Sequence, residues 1–141
     1  MQGEVLLNNM VKNALSSYQH VGYRASVEYS DPHQLVGMLF NALRESLADA
    51  RRQIAGADLV SKGRSIARAQ KIIYGLRTTL DFKQGGELAR NLDALYDYCL
   101  RLLARASCEN SQDALAEVSS LIGEISDAWQ LMPTRRLSAR Q

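Results

Sequence analysis

The sequence has only two prolines, Pro32 and Pro133, and the hundred residues between them contain none. Inside a helix, proline removes a hydrogen bond and clashes with the preceding turn, so a proline-free stretch of this length leaves room for several long helices. Leu and Ala together number 37, against 16 for Val, Ile and Thr, which favours helix over strand. The 141 residues are the size of one domain. With 46% hydrophobic residues there is enough apolar material to offset ordering entropy, which excludes a disordered chain. Charged and polar residues interrupt every apolar run well short of the ~20 residues needed to span a bilayer, so no membrane insertion is expected.

Four helical segments follow from periodicity and end signals. The first opens at Asp31-Pro32-His33-Gln34, where Asp31 can cap, Pro32 suits the first helical position and Gln34 has capping-box spacing. Leu35, Leu39, Leu43, Leu47, Ala50 and Ile54 form its stripe, and Gly56 is a stop. Asp58 caps the second, whose core positions are Ile66, Ala69, Ile73, Leu76 and Leu80. Gly85-Gly86 reads as the turn before the third, which runs to Ala106 through Leu88, Leu92, Leu95, Cys99 and Leu102. Asn110 or Ser111 caps the fourth, with Leu115, Val118, Ile122, Ile125 and Trp129 as its stripe. The economical fold is all-α: an antiparallel four-helix bundle over 31–132, preceded by a mobile arm with a short helix in 1–30 and followed by a solvated basic tail at 133–141.

Catalytic and metal chemistry have little support in the residue pattern. His20 and His33 read as capping or solvated residues, and Asp93 and Asp97, one turn apart, as a solvated acidic face. Cys99 falls on the core stripe, while Cys108 lies beside a loop with no activating cation. On a helix the two cysteines are roughly 13 Å apart, beyond disulfide reach. Without a signal-like N-terminal layout, a reducing, cytoplasmic setting is expected. The formal net charge is +2, and Arg64, Arg68 and Lys71 form a basic stripe on the second helix. That stripe lies where a solvated face should be and has no interleaved aromatics; a nucleic-acid-binding regulator is therefore the alternative class, and no nucleic acid is expected.

The third helix carries the unusual signal. Its apolar residues, including Leu88, Leu92, Leu95, Tyr96, Tyr98, Cys99, Leu100, Leu102 and Leu103, cover about 200° of the helical wheel, against the ~100° of an amphipathic surface helix. Two readings stand side by side: a helix buried centrally among its neighbours, or an external groove that accepts partner helices.

In order and spacing, three stretches resemble one known family. These are Asp31-Pro32-His33-Gln34-Leu35-Val36 with Met38-Leu39-Phe40, then Gly85-Gly86-Glu87-Leu88-Ala89-Arg90-Asn91-Leu92-Asp93-Ala94-Leu95-Tyr96-Asp97-Tyr98, and Ile125-Ser126-Asp127-Ala128-Trp129. The family is that of the flagellin-specific export chaperones of the flagellar type III secretion system, the FliS type. The resemblance implies a cytoplasmic, non-enzymatic helical bundle without a cofactor. It would bind the C-terminal segment of flagellin, prevent premature polymerisation and present the cargo to the cytoplasmic domain of the membrane export gate. It also implies an arm with an apolar residue three before a tyrosine, here Leu15 and Tyr18, that docks in the groove and acts at the gate. On this reading the flagellin groove involves Ile72, Leu76, Tyr96, Tyr98, Leu100 and Leu103, and an open groove also allows a weak homodimer. Gly37, Asn41, Tyr74 and Cys99 depart from the family's usual residues.

Overall fold

A computed structural model of the chain describes residues 32–132. They form four α-helices: α1 (Pro32–Ala55), α2 (Leu59–Thr78), α3 (Phe82–Glu109) and α4 (Gln112–Leu131). The expected arm and tail, and the Asp31 cap, lie outside the described residues. Each helix packs on its neighbours in the order α1–α2–α3–α4, and α4 closes the ring against α1.

Cross-contacts set the directions. Trp129, near the end of α4, bonds His33 at the start of α1, while Gln112 at the start of α4 bonds the Arg51 carbonyl near the end of α1. Lys62 near the start of α2 reaches Ser107 near the end of α3, and Arg77 at the end of α2 pairs with Asp93 in the first half of α3. Adjacent helices therefore run antiparallel, as connections of two or three residues require.

The core follows the stripes. Leu39, Leu43 and Leu47 of α1 face Ile66, Ile72, Ile73 and Leu76 of α2, Leu103 and Ala106 of α3, and Leu115, Val118 and Ile122 of α4, all buried in one cluster. The ends are built by local chemistry. Asp58 accepts from the Ser61 N–H at 3.3 Å, and Ser111 Oγ accepts from the Ala114 N–H at 3.1 Å, each satisfying an orphan donor. Asn110 takes the left-handed conformation that closes α3 (φ 55°), so Ser111 alone caps α4. At the end of α1 the left-handed residue is Ala57 (φ 58°), one past the expected stop at Gly56.

The turn between α2 and α3 differs from the sequence expectation. The break is at Thr79–Asp81, and Gly85-Gly86 lies inside α3 as a kink. Asp81 outcompetes the glycines for the start, because its carboxylate accepts from both the Lys83 and Gln84 N–H groups at 3.0 and 3.1 Å. Each glycine has its own reason to be there. Gly86 sits at φ 53°, ψ −126°, and a Cβ on Gly85 would lie 2.9 Å from Ala89 Cβ.

Lys62 is buried, yet its Nζ donates to the Ser107 carbonyl at 2.9 Å and to Asn110 Oδ1 at 2.7 Å, tying α2 to the end of α3. Lys62→Ala strands both acceptors and is expected to lower stability by about 1–3 kcal/mol in urea unfolding. Lys62→Met keeps the stem; if it is as stable as the parent, the two bonds contribute nothing.

Cys99 is buried and Cys108 exposed. Burial, with Glu117 adding to it, pushes the Cys99 thiol up to about 11. In the unfolded chain a thiol ionises at about 8.5, so between these values the native state holds a proton that the unfolded state has lost. The Cys99 contribution to stability therefore falls as pH rises through that window. Expected in practice: Cys108 reacts with a thiol reagent at pH 8 while Cys99 stays protected until the bundle unfolds, and Cys99→Ala flattens the alkaline decline. An equal decline in Cys99→Ala would assign it elsewhere.

Candidate functional site

At one end of the bundle, where α1 begins, α2 ends, α3 begins and α4 ends, the helices line an apolar groove of about 510 Å³. α1 contributes Val36 and Phe40, and α2 with the following turn contributes Leu76, Thr79 and Leu80. The kinked first half of α3 supplies Leu88, Ala89, Leu92 and Tyr96, while α4 supplies Ile125, Ala128, Trp129 and Met132.

Trp129 is held from two sides. Its Nε1–H donates to the His33 carbonyl at 2.8 Å, and the His33 ring stacks on the indole at 5.0 Å with planes 9° apart. His33 Nε2 lies 2.5 Å from the Trp129 carbonyl, which can only accept, so this nitrogen carries the proton. Phe40 packs against the indole at a tilt of 52°. His33 is thus neither a cap nor a solvated residue, as the sequence had suggested. The reciprocal pairing clamps the start of α1 to the end of α4 and fixes one wall of the groove.

The ionisable side chains of the lining are Asp81, Glu124 and Tyr96. Asp81 is engaged as the α3 cap, and burial raises the Tyr96 phenol well above its ordinary range, so it stays neutral. Such a lining is built to bury apolar side chains; each one fully desolvated there contributes roughly 1.5–3 kcal/mol. Leu88 and Met132 of the lining are exposed, so the groove presents apolar surface to its surroundings.

Of the residues singled out from sequence, Leu76 and Tyr96 line the groove. Ile72, Leu100 and Leu103 are instead closed into the core. Tyr98 lies on the outer side of α3, where its hydroxyl donates to Glu117 of α4. Leu15 and Tyr18 fall outside the described residues. Sequence reasoning placed Leu92, Ile125 and Trp129 on core stripes and did not single out Phe40 as a groove residue; all four line the groove. The broad apolar arc of α3 is divided along the helix rather than around it. Leu88, Ala89, Leu92 and Tyr96 open on the groove, whereas Cys99, Leu102, Leu103 and Ala106 fill the core.

Other groups have local partners. Asp93 and Asp97 both face Arg77, at 2.8 and 3.9 Å, and Asp97 also pairs with Arg101. In the basic stripe of α2, Arg64 and Lys71 are exposed and Arg68 is half-buried.

A family model described as Flagellar protein FliS matches residues 14–136. The chain belongs to the FliS family. It is 38% identical over 119 residues to the flagellar secretion chaperone FliS of Salmonella typhimurium, covering 84% of this chain and 88% of that protein. It is 40% identical over 116 residues to the flagellar secretion chaperone FliSB of Pseudomonas aeruginosa, covering 82% and 92%. The Bacillus subtilis FliS is 32% identical over 120 residues, covering 85% and 86%. These FliS relatives are named as chaperones rather than enzymes, and no helix among the described residues is long and apolar enough to cross a membrane.

Proposed function

We propose that this FliS-family protein acts as a flagellar secretion chaperone whose apolar groove receives the C-terminal segment of flagellin. The observation that carries this reading is the groove itself: about 510 Å³, lined almost wholly by aliphatic and aromatic side chains, Leu88 and Met132 among them exposed. An amphipathic segment would lay its apolar face there, in the manner of a helix in a groove. Covering that face removes the surface through which such segments associate with each other, which is how premature polymerisation is prevented. The relatives' shared name, flagellar secretion chaperone, supports a secreted flagellar cargo. Leu76 and Tyr96 form part of the floor, with Leu88, Leu92, Ile125 and Trp129 as further contacts. Ile72, Leu100 and Leu103 act indirectly, by holding the helices that carry the groove.

The arm residues Leu15 and Tyr18 are proposed to dock in the groove when cargo is absent and to act at the membrane export gate. Delivery then requires no ATP; the gate releases cargo by competing for contacts.

Two outcomes test this reading. The protein is expected to co-purify with full-length flagellin from the same organism and not with flagellin lacking its C-terminal segment; retention of the truncated form would refute the mechanism. Leu15→Ala and Tyr18→Ala are expected to impair export while leaving cooperative thermal unfolding of the bundle intact. A loss of cooperativity would make the arm a structural element instead.

A further inference from the structure

We propose that the outer row of α2 docks the protein on an anionic lipid surface. The contact is peripheral and holds whatever the groove carries.

Charge in this bundle is divided by helix. α2 carries five basic residues and no acid, whereas α4 carries four acids and no Lys or Arg. The packing order α1–α2–α3–α4, closed by α4 on α1, sets these two helices diagonally across the bundle. The modest net charge of +2 therefore hides one basic corner and one acidic corner. Three of the α2 cations are used or withdrawn: Lys62 is buried on Ser107 and Asn110, Arg77 pairs with Asp93, and Arg68 is half-buried. Arg64 and Lys71 are exposed and pair with no described residue. Four carboxylates of the flanking helices already have arginine partners of their own: Asp49 with Arg52, Asp93 with Arg77, Asp97 with Arg101 and Glu109 with Arg105.

Apart from Leu59 at its first position, the exposed residues of α2 are Val60, Arg64, Ala67, Lys71, Tyr74 and Thr78. At ~100° per residue they fall within about 80° of the wheel, a straight row roughly 27 Å long. The row is narrow and convex, and its two cations stand between exposed Val60 (70%) and Tyr74 (57%). Cations flanked by aliphatic and aromatic side chains are what an interfacial helix presents to lipid headgroups.

Magnitudes favour lipid over a second copy. The acidic α4 of another copy would offer Arg64 and Lys71 two exposed ion pairs, worth at most about fivefold each, against the freedom that two proteins lose on association. An anionic leaflet is also worth about fivefold per Lys or Arg, but it needs no fixed partner geometry and leaves the protein free to turn and diffuse in the plane. A nucleic acid is matched less well, because the row offers a single aromatic side chain for stacking, Tyr74, near one end.

Sedimentation of the full-length protein, without cargo, tests this with vesicles of phosphatidylcholine and with the same vesicles containing one third phosphatidylglycerol. Three chains are compared: the parent, Arg64→Glu/Lys71→Glu, and Arg51→Glu/Arg52→Glu, which makes the same change in net charge on exposed arginines of α1. At low salt the parent is expected to partition about thirtyfold more strongly onto the anionic vesicles, the product of two cations. Arg64→Glu/Lys71→Glu should erase that preference, and Arg51→Glu/Arg52→Glu should keep most of it. Raising salt to about 1 M, where the Debye length is about 3 Å, should remove it from the parent. Equal partition of the parent onto both vesicles overturns the proposal. So does an equal loss in the two double variants, which would reduce the effect to net charge. The proposal also falls if the parent ignores vesicles while Arg64→Glu/Lys71→Glu abolishes RNA binding or concentration-dependent association; the row would then serve a nucleic acid or a second copy. Because no cargo is present, each of these failures leaves the flagellin reading standing.

Discussion

Leu88→Asp is expected to abolish capture of the flagellin C-terminal segment while leaving the bundle as stable as the parent. Leu88 lines the groove from its lip and is 66% exposed in the free protein. A carboxylate there stays hydrated until cargo arrives, so the change in folding stability should stay within about 0.5 kcal/mol. In the complex the same carboxylate would be pressed against apolar side chains with no partner, at a cost of several kcal/mol. An affinity loss of at least about thirtyfold by calorimetry is the expected reading. Leu131 provides the control: it is 84% exposed on the last turn of α4 but does not line the groove, so Leu131→Asp should bind as the parent does. Unchanged affinity in Leu88→Asp, or equal losses in both variants, would remove the groove from the mechanism.

Ile72→Ala is expected to do the reverse, disabling the fold before it touches the groove. Ile72 is fully buried in the cluster where all four helices meet and does not line the groove. Truncating it removes buried methylenes and leaves a cavity, a cost of about 2–5 kcal/mol. For a domain of this size that corresponds to a fall in midpoint of roughly 10–20 °C in a thermal melt. At a temperature where the variant is still folded, its affinity for cargo should stay within about threefold of the parent, since no contact with the cargo is lost. A stable Ile72→Ala that binds poorly would return Ile72 to the groove, where its sequence position had suggested it.

The contrast between Leu88 and Ile72 shows where reading the sequence succeeds and where it stops. Both sit on apolar stripes of helical period, and both belong to the broad apolar surface first noticed as an excess. Periodicity reports which face of a helix is apolar. It does not report what stands opposite that face, because that depends on helices distant in sequence. Ile72 is closed into the same core cluster as Leu43 and Leu103, whereas Leu88, two residues after the kink at Gly86, lines the groove and is 66% exposed. The histidine at the start of α1 makes the same point. His33 and Trp129 are ninety-six residues apart, and no local pattern announces that each bonds the other's carbonyl.

Local signals served well for helix starts, although for α4 they left Asn110 and Ser111 as alternatives. Asp58 caps α2 and Ser111 caps α4, because a side-chain oxygen next to an orphan N–H has no better partner. Gly85-Gly86 does mark a break in helical geometry, at Gly86, but a second break signal lay close by at Asp81. The Asp81 carboxylate satisfied two donors and won the helix start, leaving the glycines to absorb a kink.

By itself, then, the sequence determined an all-α bundle of four helices, the Asp58 cap of α2, and membership of a family whose relatives match most of its length. These are properties of short-range chemistry or of residue order. Only the tertiary structure decided which apolar side chains close on one another and which remain open as a groove at one end of the bundle. Hydrophobic burial has no direction along the chain. It is settled by which surfaces meet in space, and a stripe of leucines is the same stripe whether its partner is the protein itself or another molecule.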